Sequence, residues 1–317
     1  MNIAILKGRL GKARVVVIDE RRARTRCQCN FVDTAKSPAA FHWLGPHRPE
    51  GSTEPATEMD EQPAIVVRKL SPLTHCSRTT NKLGKFLAKD FRRIFGPAHD
   101  DLAERLGSLA RSTIECLGRS DAPYHNFENT LQVTLVGRDI LQGLTLSRRI
   151  EPADYSHLIV ACLLHDIGYM RGVLSGDTET EFVLDRNGKK VTLPRGASDA
   201  ALTPYHVDRS KLFALERLGN SPTVDPARVA EAIEFTRFPP RPDRNSANDD
   251  MEPRLVQAAD LIGQLGDPMY SRKANALYFE FEEIGMNRQL GYSSPADLID
   301  KYPAFFWNGV SMHLNGE

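Results

Sequence analysis

The stretch that decides the fold is "HLIVACLLHDIGYMRG", residues 157–172. Its first half is apolar on nearly every side of a helix, which is typical of a helix buried at the centre of a bundle. The run nevertheless ends in His165 and Asp166. A charged carboxylate is unfavourable in apolar surroundings unless it is paired or bound to a metal, and the adjacent imidazole is a ready nitrogen ligand. The stretch therefore predicts a central helix with a metal site at its end.

A second carboxylate supports this interpretation. Asp260 lies in "RLVQAADLIGQLG", residues 254–266, where nearly all of its neighbours are apolar. Alone, such an aspartate is as well explained by a solvent-facing or capping role. His206 is the single histidine between Asp166 and Asp260 and stands near a helix start, a position more often typical of a surface residue. Together with His165 and Asp166, Asp260 favours a metal site, to which His206 is a further candidate ligand.

From residue 64 onward the pattern is mainly helical. "NKLGKFLAKDFRRIF", residues 81–95, has apolar side chains on one face and basic ones opposite, which fits a core face or a membrane-surface helix. Capping signals predict further helix starts at Thr203-Pro204, Asp225-Pro226 and Ser294-Pro295, and Gly266 ends another helix. The expected fold class is an all-α bundle.

One segment departs from this pattern. In "EFVLDRNGKKVTLP", residues 181–194, Asn187-Gly188 lies between two β-prone arms and predicts a hairpin. The hairpin lies within a 32-residue connection, 172–203, far longer than bundle connections usually are. We expect this insertion to be a lid over the metal site. Its basic side chains available to phosphate are Lys189, Lys190 and Arg195.

The first 63 residues lack the helical pattern of the rest of the chain. Residues 1–45 form a small extension with two short predicted strands, "IAIL" and "ARVVVID", around "KGRLGK", which lacks the spacing of a P-loop. Residues 46–63 are rich in Pro, Glu and Thr and read as a flexible linker before the bundle, 64–317. The series Cys27, Cys29, His42 and His47 approaches a zinc-finger count, but one residue between the cysteines is too few for the usual turn.

Composition excludes several functional classes. The 41 acidic and 41 basic side chains balance, so we expect no nucleic-acid partner. Five scattered cysteines argue against a disulfide framework and for a reducing compartment. No apolar run approaches the ~18 residues of a membrane span, and the N-terminus lacks a secretory signal. We therefore expect a cytoplasmic protein with no membrane partner.

Three short motifs carry a family resemblance. The series "YHN" (124–126), "LLHDIGY" (163–169) and "AADLIG" (258–263) resembles the HD-domain metal-dependent phosphohydrolases over roughly residues 120–270. "YHN" in particular is similar to the entry motif of their cyclic-nucleotide phosphodiesterase branch. The resemblance implies one or two divalent ions (Mn, Mg, Fe or Zn) and His125 as the general acid. The metal ligands that it implies are position 129, His165, Asp166 and Asp260, with His206 available to a second ion beside Asp166.

The sequence departs from the family pattern at position 129, where a histidine is expected and Asn129 stands. An amide oxygen is a weaker ligand for softer metals but is acceptable to Mg²⁺ or Mn²⁺. Three outcomes follow: Asn129 ligates through oxygen, His125 replaces it as ligand and gives up its acid role, or the first metal is lost.

The resemblance implies hydrolysis of a nucleotide-like phosphoester, a small-molecule substrate. His125 and Asp166 are the expected catalytic residues. Arg171, Arg237 and Lys190 are candidate phosphate contacts, although a surface ion pair explains either arginine equally well. The alternative is a catalytically silent HD domain that binds a nucleotide or a protein partner, with a metal site weakened by Asn129.

Overall fold

The computed structural model describes residues 2–7, 13–18, 72–238 and 251–314. In it, the apolar stretch forms helix α4 (Pro152–Leu164), in which every side chain from Tyr155 to Leu164 is buried. This confirms the prediction of a central helix. The expected linker, 46–63, and the zinc-finger-like series lie outside the described residues.

Six helices surround or adjoin α4 in the main layer of the bundle. They are α1 (Pro72–Phe95), α2 (Asp100–Leu117), α3 (Phe127–Leu144), α5 (His206–Leu218), α6 (Pro226–Glu234) and α7 (Met251–Leu265). Helix α4 packs against α2, α3, α6 and α7, while α1 pairs with α2 and α5 pairs with α6. Because one large cluster of buried apolar side chains joins these helices, they share a single core.

A C-terminal group of helices packs beside this core. It consists of α8 (Tyr270–Glu283), α9 (Met286–Leu290), α10 (Pro295–Phe305), a π-helical turn (Phe306–Val310) and α11 (Ser311–Leu314). Two small apolar clusters hold the group together. The all-α class is confirmed. No helix in the described ranges is long and apolar enough to cross a bilayer.

Two antiparallel hairpins complete the described structure. The predicted insertion forms β3 (Glu181–Val183) and β4 (Lys190–Thr192), and Gly188 in its turn has a φ of 77°. Near the N-terminus, β1 (Asn2–Lys7) pairs with β2 (Ala13–Ile18). The predicted hairpin and the two predicted N-terminal strands are therefore confirmed, and the structure adds that these two strands pair with each other.

Of the three predicted helix starts, those at Asp225-Pro226 and Ser294-Pro295 agree with the structure, and the one at Thr203-Pro204 differs. The side chains of Asn126 and Asp225 accept backbone N–H bonds at the starts of α3 and α6, and Ser294 forms a capping box with Asp297. The start expected at Thr203-Pro204 is too late. The helical segment begins with a 3₁₀ helix (Asp199–Tyr205), because the Ser198 side chain already accepts the N–H of Ala200.

Helix α1 contributes most of its predicted apolar stripe to the core. Leu83, Leu87 and Phe91 are buried, which confirms the core-face interpretation for them. Phe86 was expected on the same face but is 40% exposed. The guanidinium of Arg138 lies 5.2 Å from the centre of its ring, and this cation–π contact covers the side chain in place of the core.

A glycine sets the distance between the end of α4 and the start of α5. A Cβ atom added to Gly168 would lie 2.0 Å from the backbone oxygen of His206 and 2.6 Å from the backbone nitrogen of Ser210. In addition, the Ser210 hydroxyl accepts from the Gly168 N–H (2.8 Å) and donates to the carbonyl of His165 (2.6 Å). These contacts hold the start of α5 directly against the His165-Asp166 turn.

We expect Gly168→Ala to lower the free energy of unfolding by about 1–3 kcal/mol or more, since backbone cannot move away as a flexible side chain can. Chemical denaturation would measure this loss. Gly143→Ala is the matched control, because no described atom lies within 4 Å of its added Cβ and alanine is the better helix former. Equal stability of the two variants would contradict the close-approach argument.

Candidate metal centre

His165 directly follows Leu164, the last residue of α4, and its imidazole lies in the interior. It is 1% exposed. Its Nδ1 lies 2.8 Å from the carbonyl oxygen of Cys162, to which it donates. Its Nε2 is buried and has no hydrogen-bond partner among the residues that the structure describes. A buried imidazole whose Nδ1–H is fixed in this way presents the Nε2 lone pair as a metal ligand.

Two carboxylates lie beside this nitrogen. Asp166 Oδ2 is 3.0 Å from His165 Nε2, and Asp260 Oδ1, from α7, is 3.5 Å from it. Adjacent ligand atoms around a cation with bonds of about 2.1 Å are separated by roughly 3.0–3.4 Å. The distances from His165 Nε2 to the two carboxylates are therefore of the size found between ligands of one divalent ion.

The charge balance of these three side chains also favours a cation. Burial would lower the pKa of His165, but Asp166 and Asp260 outweigh burial and raise that pKa well above its ordinary value. A proton on His165 thus offsets part of the negative charge of the two carboxylates, and a divalent ion can take its place. Within the described ranges, no group of three or more His, Cys, Asp or Glu side chains is arranged so that it could hold a metal ion in this structure.

Asn129 and His206 lie at the periphery of this centre. The Asn129 amide, from α3, donates from Nδ2 to Asp166 Oδ2 at 2.8 Å, so its nitrogen faces the carboxylate. A 180° turn of the amide would present its oxygen instead. His206 Nε2 lies 3.9 Å from Asp166 Oδ1. Burial lowers the pKa of His206, which keeps the ring in the neutral form that binds metals.

His125 is paired with a glutamate that the sequence did not indicate. Its Nδ1 lies 2.5 Å from Oε2 of Glu280, a residue of α8 that is 1% exposed. The other oxygen, Oε1, accepts the backbone N–H bonds of Tyr124 (2.5 Å) and His125 (2.9 Å). Burial lowers the pKa of His125, but Glu280 outweighs this and raises it to about 9. At neutral pH the ring is therefore an imidazolium whose remaining proton is on Nε2.

This pairing bears on the three outcomes expected for position 129. Nδ1 of His125 is engaged by Glu280, and a protonated Nε2 cannot bind a cation. The arrangement thus favours His125 as an acid over His125 as a replacement ligand. In the sequence Glu280 stands between Phe279 and Phe281, a pattern that does not identify its partner.

A stack of three rings joins His125 to His206. Tyr169 lies between them, with ring centres 4.7 Å from His125 and 4.4 Å from His206 and interplanar angles of 9° and 22°. Tyr169 is 1% exposed, so neither imidazole can rotate freely against it. In the sequence, the position of Tyr169 directly after "HDIG" was the feature that could have indicated this stacking role.

The candidate phosphate contacts Arg171, Arg237 and Lys190 are each engaged in ion pairs. Arg171 lies outside the cavity wall and pairs with Asp121 and Asp199, each at 2.6 Å. Arg237 lines the cavity but pairs with Glu234 and Asp208, each at 2.7 Å. Lys190, in β4, lies 3.9 Å from Glu181. Their phosphate-binding roles remain predictions.

The inserted connection does not cover the candidate centre in this structure. Of residues 172–203, which are all described, only Thr203 lines the cavity, next to Pro204. The hairpin is instead anchored to α5 by Arg209, which pairs with Asp177 at 2.9 Å with both side chains fully buried. Arg209 also donates to the carbonyl of Val183 in β3 (2.6 Å). The arrangement differs from the expected lid because this buried ion pair holds the hairpin in place.

A family model described as Npun_R2479-like matches residues 77–316. The chain belongs to this family. No curated protein and no solved structure matches the chain. The Npun_R2479-like match includes every candidate site residue and the C-terminal helices, whereas β1 and β2 lie before it.

In this Npun_R2479-like protein, Glu280→Gln should lower the pKa of His125 from about 9 toward its ordinary 6.5, because a neutral amide cannot stabilise the imidazolium. A pH titration of the ring by NMR would measure the shift. Glu282→Gln, at an exposed position of the same helix, is the control. An unchanged titration in Glu280→Gln would contradict the pairing.

The same pair makes stability depend on pH. Because the folded-state pKa of His125 is raised, the pair's stabilisation is complete below about pH 6.5 and disappears as the pH rises through about 9. The stability difference between the wild type and Glu280→Gln should shrink over this interval.

Proposed function

We propose that this protein is an HD-type, metal-dependent phosphohydrolase that cleaves a small-molecule phosphoester. The observation that carries the proposal is the buried Nε2 of His165, which has the carboxylates of Asp166 and Asp260 within 3.5 Å. Next to this centre stands a second histidine, His125, which is held in the protonated form by Glu280. A cation site and a proton donor that share one cavity are the two elements that phosphoester hydrolysis requires.

The residues present fit a divalent cation. His165 Nε2, Asp166 and Asp260 would hold it, with Asn129 as a weak oxygen ligand and His206 near a second ion. This mixture of nitrogen and oxygen donors suits Mn²⁺, Fe²⁺, Zn²⁺ or Mg²⁺. When bound, such a cation neutralises charge on phosphoryl oxygens and lowers the pKa of a water.

The protein's own residues would supply the remaining steps. His125 would donate its Nε2 proton to the departing ester oxygen, which otherwise leaves as an unstable alkoxide. Glu280 keeps that proton in place and fixes the ring through Nδ1. Tyr169 holds the planes of His125 and His206 parallel, so that both rings keep their orientation toward the substrate.

One observation favours a second function. The hydrogen bond from Asn129 Nδ2 engages Asp166 Oδ2, the oxygen that also lies nearest to His165 Nε2. In a catalytically silent domain this bond would stabilise the carboxylate without a metal. Such a protein would use the same cavity to bind a nucleotide or would bind a protein partner.

The two functions are separated by metal analysis combined with a hydrolysis screen. We expect purified protein to retain a divalent metal and to cleave phosphoesters, among them the nucleotide-like esters that "YHN" favours. His165→Ala should lose both metal and turnover. His125→Ala should keep the metal but lose on the order of 10²- to 10⁴-fold in rate, and it should lose less with a good leaving group, which needs no acid.

Asp139→Asn, at a solvent-exposed position of α3, is the control for metal content. A folded protein that binds no divalent metal would overturn the proposed hydrolase and favour the silent domain. Loss of metal in His125→Ala would show instead that this histidine is a ligand.

A further inference from the structure

The cavity at the candidate metal centre extends beyond the residues that would perform the chemistry. It has a volume of about 430 Å³, within the usual range for a small-molecule site. His125, Asn129, Asp166, His206 and Asp260 all line one part of it. The rest of its wall comes largely from the C-terminal helices, to which the proposed mechanism assigns no residue except Glu280.

This second part of the wall is predominantly apolar, and we name it the apolar arm. Its principal side chains are Leu277, Phe281, Leu290, Leu298, Tyr302 and Phe305. Two small apolar clusters support them from behind. One contains Leu277 and Leu298, and the other contains Tyr302. The arm is therefore a packed surface and keeps its shape without a ligand.

The arm offers no free positive charge to a polyphosphate. Among the described residues of the wall, Arg237 is the one Lys or Arg, and Asp208 and Glu234 engage its guanidinium. Removing Arg237 from these partners would take away one of the two cationic partners of the buried Glu234, the other being Lys211, which is unfavourable. A substrate group in the arm is thus selected for apolar surface and not for charge.

Aromatic rings continue the apolar surface outward. Phe238 is 49% exposed and packs edge-on against Phe305, with ring centres 5.6 Å apart. Both rings belong to the cavity wall. A half-exposed aromatic ring at a binding cavity is typical of a surface that is covered when a ligand binds.

We propose that the substrate is a phosphoester with an apolar alkyl or aryl group, and that the apolar arm binds this group while the phosphoryl group lies at the metal centre. The proposal rests on the proposed function for the position of the phosphoryl group. The recognition of the apolar group rests on the wall alone. A nucleotide with a charged polyphosphate tail would be a poorer ligand, since the arm has no unpaired cation to receive it.

Binding of n-alkylphosphonates tests the proposal without any turnover. Calorimetry with ethyl-, butyl- and hexylphosphonate, in the presence of Mn²⁺, would give the dissociation constants. Each methylene buried in the arm should tighten binding up to about fourfold, the factor that corresponds to ~0.8 kcal/mol. Hexylphosphonate should then bind at least tenfold more tightly than ethylphosphonate.

Two phenylalanines of α8 provide a matched pair of variants. Phe281 lines the arm, whereas Phe279 is 62% exposed and lies outside the wall. Phe281→Ala should weaken hexylphosphonate binding by on the order of tenfold and leave ethylphosphonate binding nearly unchanged. Phe279→Ala should change neither, and Phe281→Leu should recover part of the loss. Thermal unfolding of each variant would confirm that it folds.

The outcomes separate this inference from the proposed function. Equal affinity for all three phosphonates in the wild type would overturn the apolar-arm proposal. If ethylphosphonate binding still depended on metal, that result would continue to support the proposed hydrolase. Affinity that rises with chain length, but is the same without metal and in Asp260→Ala, would support the arm and overturn the metal-centred function.

Discussion

At the end of α4 an imidazole and a carboxylate lie 1% and 3% exposed at the edge of an apolar core, and the arrangement around them follows from that burial. A buried charge without partners costs several kcal/mol. Neighbouring helices must therefore supply polar partners for both side chains. Asn129 on α3, Asp260 on α7 and His206 on α5 all face Asp166 or His165. Gly168 makes the last of these contacts possible, because only a residue without a side chain lets α5 approach so closely.

The parts of this arrangement that sequence could predict are local. The apolar run of α4, the caps of α3, α6 and α10 and the turn at Asn187-Gly188 depend on residues close together in the chain. Asp260 could also be singled out, since its neighbours are apolar. That it meets His165 was predictable only through the family resemblance, as the two are far apart in the sequence.

The features that sequence missed depend on distant partners. Glu280 engages His125 across 155 positions, and no local pattern specifies such a contact. The sequence allowed ion pairs for Arg171 and Arg237, but it could not identify the carboxylates that form them. The sequence likewise did not indicate the buried pair of Arg209 and Asp177, which holds the hairpin against α5 and away from the cavity wall. The apolar arm arises from packing between α8 and α10, which helix patterns alone do not define.

A crystal structure of the protein grown with Mn²⁺ tests most directly whether His165, Asp166 and Asp260 bind a divalent cation. Anomalous scattering at a manganese-sensitive wavelength locates the ion without reference to any assumed ligand. We expect a peak about 2.0–2.3 Å from His165 Nε2 and from oxygens of Asp166 and Asp260. A well-ordered site with no peak there, and with the Asn129–Asp166 hydrogen bond intact, would contradict it.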